Sequence, residues 1–231
     1  MKFKRGAVQP DPSAVGLWHL DGNSKDSSGH GNNGSDTSIT YGMQYGKFGW
    51  GADFTGGSSY IGIPNLQIGL SSMTMSVWIN ITNLSTGGNF IDFRSNGVTA
   101  TIPSIGLGVL SSGVFYISKE TAPNYTWEQL NSTSTYSTNA WHYVVGTYTN
   151  ISGTGYLNLY VDGSLAATQM SFADTGGSVP EQYSTIGGTN HVAMPESAYL
   201  DEVAIFSRAL SSSEVAQLYT SRSLEGNGIS R

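Results

Sequence analysis

Short stretches of alternating apolar and polar residues, each stopped by glycine, serine or asparagine, recur along this chain. They leave room for little but a β fold. Met73-Thr74-Met75-Ser76-Val77-Trp78-Ile79-Asn80-Ile81 repeats with a period of two, which sends successive side chains to opposite faces of a strand. The same period recurs in residues 141–148 and 156–161. Asp162-Gly163 lies between the last of these and residues 164–168. Asp-Gly between alternating segments predicts a tight hairpin, because both central positions of that turn need positive φ. Ser111-Ser112-Gly113 predicts a second hairpin, between residues 105–110 and 114–118. A single helix is predicted over 212–220. Ser211 and Glu214 form a capping box, Leu210 and Val215 occupy the staple positions, and Val215, Leu218 and Tyr219 share a face.

Many strands, glycine-rich turns and one C-terminal helix define an all-β fold, a two-sheet antiparallel jelly-roll sandwich. A length of 231 residues suits one such domain. The division expected is an extended N-terminal arm over 1–14, the sandwich over 15–221 and a tail over 222–231. Trp18, Phe54, Val77, Ile79, Trp141, Val145, Leu159 and Phe206 are expected in the core. The arm carries Lys2, Lys4 and Arg5 with Pro10 and Pro12, which suits an extended segment ordered by a neighbouring chain.

Only 11% of the residues are charged, against roughly 25% in an average domain. Such a composition points to an extracellular or particle-surface protein. The net charge is −6, and Lys and Arg cluster nowhere beyond the arm, so no nucleic-acid partner is expected. Cysteine is absent, which excludes thiol chemistry and thiolate metal sites. No apolar run reaches the roughly 18 residues of a membrane helix. No apolar segment follows Met1-Lys2-Phe3-Lys4-Arg5, so no secretory signal is expected.

Asp26-Ser27-Ser28-Gly29-His30-Gly31-Asn32-Asn33-Gly34 follows the apolar run 15–20. Its glycines allow the backbone to turn carbonyl oxygens inward, and Asp and Asn add side-chain oxygens. A hard cation such as calcium takes that mixture. Asp201 and Glu202, at the head of a late apolar run, add carboxylates. The expected calcium ligands are Asp26, Asn33, Asp201 and the main-chain carbonyl of His30, with Asp21 and Glu202 as weaker candidates. The segment 29–34 also fits the dinucleotide pattern G-x-G-x-x-G, but no helical period follows it, and nucleotide binding is rejected.

Several further segments occur in a telling order: Leu17-Trp18-His19-Leu20-Asp21, Gly46-Lys47-Phe48-Gly49, Ala52-Asp53-Phe54-Thr55-Gly56, Tyr60-Ile61-Gly62-Ile63-Pro64, Met75-Ser76-Val77-Trp78-Ile79, Leu159-Tyr160-Val161-Asp162-Gly163 and Leu200-Asp201-Glu202-Val203-Ala204-Ile205-Phe206. From about residue 15 to 219 the set resembles the laminin-G-like jelly-roll domains of the concanavalin-A-like lectins and glucanases. The resemblance implies two packed antiparallel sheets of six or seven strands each. It also implies a calcium site between the first loop and the last strand, and carbohydrate binding, protein binding or a purely structural role.

Glucanases of that superfamily place acids at alternate positions of one strand. No Glu-x-Asp-x-x-Glu occurs here, and neighbouring Asp201 and Glu202 should face opposite sides of their strand. No G-x-S-x-G elbow occurs either. The chain is therefore expected not to be an enzyme. Sugar binding needs exposed aromatics with amide or carboxylate neighbours. Trp50, Tyr125, Trp127 and Tyr183, expected in loops, and the polar Asn124 and Asn190 are the candidates. The expected function is a non-catalytic surface or adhesive protein, a structural or decorating component of a virion, filament or surface layer. Its partners would be further copies of itself or a neighbouring structural protein. The alternative is a carbohydrate-binding module that recognises cell-surface or polymeric glycans.

Overall fold

The alternating segments pair into two antiparallel sheets. A computed structural model describes residues 11–55, 59–66, 68, 71–94, 104–121, 126–174, 183–188 and 197–221. Strands are numbered in chain order. Among the described residues the larger sheet has nine strands, in the order β13 (Ser164–Leu165), β12 (Thr154–Val161), β11 (Trp141–Ile151), β6 (Ser72–Asn83), β16 (Ser197–Phe206), β4 (Gly51–Thr55) and β3 (Thr40–Gly42). Within it, β1 (Ala14–Trp18) also pairs with β16, and β14 (Met170–Ala173) with β12. The smaller sheet has, among the described residues, seven strands: β10 (Thr126–Asn131), β9 (Phe115–Thr121), β8 (Ile105–Leu110), β7 (Gly87–Arg94), β15 (Tyr183–Gly187), β5 (Tyr60–Ile63) and β2 (Ser35–Thr37). The resemblance implied six or seven strands per sheet. The larger sheet exceeds this because the short β13 and β14 both pair with β12, and β1 pairs with the second half of β16.

One residue in two along each strand points between the sheets. Trp18, Phe54, Val77, Ile79 and Leu159 of the larger sheet meet Ile61, Ile91, Ile117 and Ile186 of the smaller in one core. The larger sheet is buried on its outer face as well. There Trp78, Tyr143, Val145 and Phe206 pack with Leu210 and Val215 at the start of α1 (Ser212–Ser221). Burial on both faces explains why β6 is buried without a break from Met73 to Ile79 despite its alternating sequence. Trp141 differs from the expectation. It is only half-buried, packed against the rim of this outer cluster.

The local signals hold. Asp162 and Gly163 have φ of 52° and 78°, as the β12–β13 turn requires. The Ser211 amide donates to Glu214 Oε2 at 2.8 Å, capping α1. The described part of the arm is tied to its own domain. Arg208 donates to Asp11 Oδ2 at 2.6 Å and to Ser13 Oγ at 3.0 Å. Residues 1–10, and with them most of the arm expected to meet a neighbouring chain, lie outside the described residues.

Candidate functional site

The 26–34 loop is organised around one carboxylate. Asp26 Oδ1 accepts from the Leu17 and Ser28 amides at 2.9 and 2.8 Å, and Oδ2 from Ser28 Oγ and the Asn32 amide at 2.8 Å each. Burial would raise this carboxyl, but the donors of Ser28, Leu17 and Asn32 outweigh it and hold Asp26 below the usual carboxylate range. Asn33 Oδ1 accepts from the Asp26 amide at 3.0 Å. Trp18 Nε1 donates to the Asn32 carbonyl at 3.0 Å, which fixes the loop to a fully buried indole. His30 is exposed. The loop thus brings Asp26 and Asn33 together, with two protein donors on each Asp26 oxygen and one on Asn33 Oδ1.

Asp201 is bonded to a different loop. Its Oδ2 accepts from the Lys47 and Phe48 amides at 2.8 and 2.9 Å. Its Oδ1 is buried with no hydrogen-bond partner. Burial pushes the carboxyl up to about 7; the Phe48 and Lys47 amides oppose this, and the charges of Glu202 and Asp21 add to it. Asp21 in turn accepts from the Trp50 amide at 3.2 Å. A β-bulge between Asp201 and Ala204 interrupts the strand, with Glu202 at φ 50°. The strict alternation expected for Asp201 and Glu202 is therefore broken, and Glu202 reaches His19 Nδ1 at 2.9 Å. Beside this group, Lys47, Phe48, Trp78, Tyr219 and Thr220 line a cleft of about 600 Å³. Lys47 Nζ lies 4.7 Å from the Trp78 ring centre.

No group of three His, Asp or Glu side chains suited to a metal stands among the described residues. Asp201 Oδ1 keeps its lone pairs open to a proton or a cation, whereas each Asp26 oxygen already accepts two hydrogen bonds.

The outer face of the smaller sheet has a different character. Direct cross-strand partners share a face. One row across the sheet reads Leu130, Ile117, Leu107, Ile91, Ile186, Ile61, all in the core. The next row, on the outer face, reads Gln129, Ser118, Gly106, Asp92, Thr185, Gly62, Ser35, without one apolar side chain. Ser118 and Thr185 are buried, and their hydroxyls have no protein partner. Beside this row Tyr116 donates to Asn89 Oδ1 at 2.5 Å. Tyr116 lies over Gly108, where a Cβ would stand 2.5 Å from its ring atoms. At the β10 end of the described sheet, Trp127, Gln129 and Asn131 occupy alternate positions of the strand. Trp127 is 45% exposed, Trp127 Nε1 donates to Gln129 Oε1 at 3.3 Å, and Gln129 Nε2 donates to Asn131 Oδ1 at 2.7 Å.

Trp127 and Tyr183 therefore sit on strands, β10 and β15, and not in the loops expected. Trp50 does lie in a loop and is 45% exposed, on the Asp21 side of the molecule. Asn124, Tyr125, Asn190 and the side chain of Tyr183 lie outside the described residues. The polar row escaped the sequence reading. Its available signal was Ile105-Gly106-Leu107-Gly108-Val109, glycine at two successive outward positions of one strand, which clears space for flat-lying side chains.

This geometry agrees with the comparisons to known proteins. A laminin-G-type model of the concanavalin A-like lectin/glucanases superfamily matches residues 55–216, and the chain belongs to that superfamily. No curated protein matches it significantly in sequence. Among solved structures it is similar to domain 4 of AbnA, a GH43 extracellular arabinanase from Geobacillus stearothermophilus, in complex with arabinotriose. That match has 18% identity and a TM-score of 0.71, over 90% of this chain and 98% of that one. It is also similar to the binding domain of botulinum neurotoxin DC in complex with SialylT (17% identity, TM-score 0.68, 90% of this chain and 51% of that one). The same toxin domain in complex with rat synaptotagmin II gives 18% identity and a TM-score of 0.68, over 90% and 51%. The chain spans about half of those toxin domains. No helix among the described residues is long and apolar enough to cross a membrane.

Proposed function

We propose that this chain is a non-catalytic carbohydrate-binding module of an adhesive surface protein, with its sugar laid along β10 on the outer face of the smaller sheet. The comb of Trp127, Gln129 and Asn131 carries this reading. The exposed indole offers a platform for the C–H face of a sugar ring, and the two amides both donate and accept hydrogen bonds. A lone indole among amides suits a small polar ligand better than a protein interface, whose centre is a larger apolar patch. That is why glycan recognition is preferred here to a purely structural role in a particle or layer. The sugar-bound fold neighbours add support.

The proposal includes a structural calcium ion under the 47–50 loop, away from the 26–34 loop. Asp201 Oδ1 is its anchor and Asp21 the second carboxylate, with main-chain oxygens completing a hard-oxygen shell. A bound ion would pin that loop to β16.

The test is a printed array of neutral and sialylated oligosaccharides, arabinotriose among them, probed with wild type and Trp127→Ala. The proposal expects binding by wild type and weaker binding by the variant, with melting temperatures matched. It fails if wild type binds no glycan or if Trp127→Ala binds as well as wild type.

A further inference from the structure

We propose a second saccharide site, on the outer face of the larger sheet, centred on Tyr199 and flanked by Asp53 and Asn80. Tyr199 on β16 pairs with Asp53 on β4 and with Asn80 on β6. Direct partners share a face. The residues on either side along each strand, Ala198 and Leu200, Ala52 and Phe54, Ile79 and Ile81, are all in the inner core. Asp53, Tyr199 and Asn80 therefore stand in one row on the outer face. Asp53 and Asn80 are two strand spacings apart, roughly 10 Å, with the tyrosine between them.

Two independent observations make this row more than a polar surface. Asp53 Oδ1 and Asn80 Oδ1 are both buried and both lack a hydrogen-bond partner. Asp53 as a residue is only 8% exposed. A buried oxygen left without a donor costs about 1–3 kcal/mol, so a fold that keeps two of them beside one ring is poised for a ligand that donates. The ring is also held in place: Tyr45 lies 4.9 Å from Tyr199, tilted by 46°. Burial raises the carboxyl of Asp53, in keeping with an oxygen that lacks a donor.

The chemistry selects the ligand. Both flanking atoms accept, so the ligand must donate on both sides of the Tyr199 ring. A neutral sugar ring does this: its C–H face lies on the tyrosine while hydroxyls at opposite edges donate to Asp53 and Asn80. An acidic sugar would bring a carboxylate against Asp53 and is disfavoured. The site faces away from β10, so a polymeric glycan or a crowded glycan surface could engage both sides of the sandwich.

The experiment separates this site from the β10 comb. Calorimetry uses the neutral oligosaccharide with the strongest array signal, arabinotriose being the first titrated, against wild type, Trp127→Ala, Tyr199→Ala, Asn80→Leu and the Trp127→Ala/Tyr199→Ala double variant. Two equivalents are expected for wild type, one for each single aromatic variant and none for the double. Asn80→Leu should weaken the second equivalent by about tenfold, the effect of one lost hydrogen bond. Melting curves monitor folding, and Asn80→Leu keeps the proposal testable should Tyr199→Ala unfold. One equivalent in wild type that vanishes in Trp127→Ala overturns the second site and leaves the first standing. One equivalent that vanishes only in Tyr199→Ala does the reverse. A second equivalent unchanged in both Tyr199→Ala and Asn80→Leu also overturns it.

Discussion

Asp26 and Asp201 have the same side chain and were expected at the same ion, yet their surroundings are opposite. Asp26 accepts from four donors, one set on each oxygen, and its carboxyl is held low. Asp201 is wholly buried, accepts on one oxygen only, and its carboxyl is raised to about 7. The first is a finished structural knot that ties the 26–34 loop to β1. The second is an unfinished one that wants a proton or a cation. A carboxylate in a glycine-rich loop is thus no evidence of a metal until its lone pairs are accounted for.

The largest effect that would break this comparison is loss of the knot. Asp26→Ala leaves the Leu17, Ser28 and Asn32 amides without their acceptor, and hydrogen bonds to a charged group contribute about 1.5–3 kcal/mol each. Urea unfolding at pH 7 should show a loss of about 3–5 kcal/mol; a loss below about 1 kcal/mol would mean the loop is held by something else.

The pH dependence follows from the two shifts, which have opposite signs. Because the folded pKa of Asp201 lies above its unfolded value, its contribution is fully present below about 4 and is lost as pH rises through about 7. For Asp26 the folded value is lowered, so its contribution is present above the unfolded value and is lost as pH falls below about 4. In chelator, wild type should lose about 2–4 kcal/mol between pH 4 and pH 8, an order-of-magnitude figure from a shift of roughly three units. Asp201→Asn should flatten that limb and leave the acid limb below pH 4 intact. A slope that persists in Asp201→Asn would assign it to another group.

Calcium should act on one aspartate and not the other. Saturating calcium at pH 7.5 should stabilise wild type by about 2–3 kcal/mol, measured as a rise in melting temperature over chelator. Asp26→Ala should keep the rise and Asp201→Asn should lose it. Loss in Asp26→Ala alone would return the ion to the 26–34 loop.

The smallest effect concerns the helix cap. Glu214→Ala removes the acceptor of the Ser211 amide and the Arg208 contact at 2.7 Å. On an exposed helix start this should cost about 1 kcal/mol.

The parts of the fold set by local rules were legible in the sequence. The turn at Asp162-Gly163, the cap at Ser211 and Glu214 and the alternation of β6, β11 and β12 follow from backbone conformation and side-chain period. The β-bulge at Glu202 was not legible, because an extra residue in a strand shows only against its partners. β10 was missed because Thr126-Trp127-Glu128-Gln129-Leu130-Asn131 carries one core residue, Leu130, too few to display a period. That Asp26 and Asp201 bond to different loops was hidden for the same kind of reason: residue types signal which atoms can bind, while long-range hydrogen bonds decide which of them already have partners. Trp127 was named correctly as exposed but placed in a loop. The amides that accompany it became visible only once the β9–β10 register put Gln129 and Asn131 on its face.

The binding reading is tested most directly by calorimetric affinity of wild type and Trp127→Ala for the strongest neutral oligosaccharide on the array. The account predicts measurable binding by wild type and, on removing the indole, at least about a tenfold loss of affinity for the equivalent held at β10, the effect of one stacked ring. Equal affinities in two equally stable proteins would contradict it.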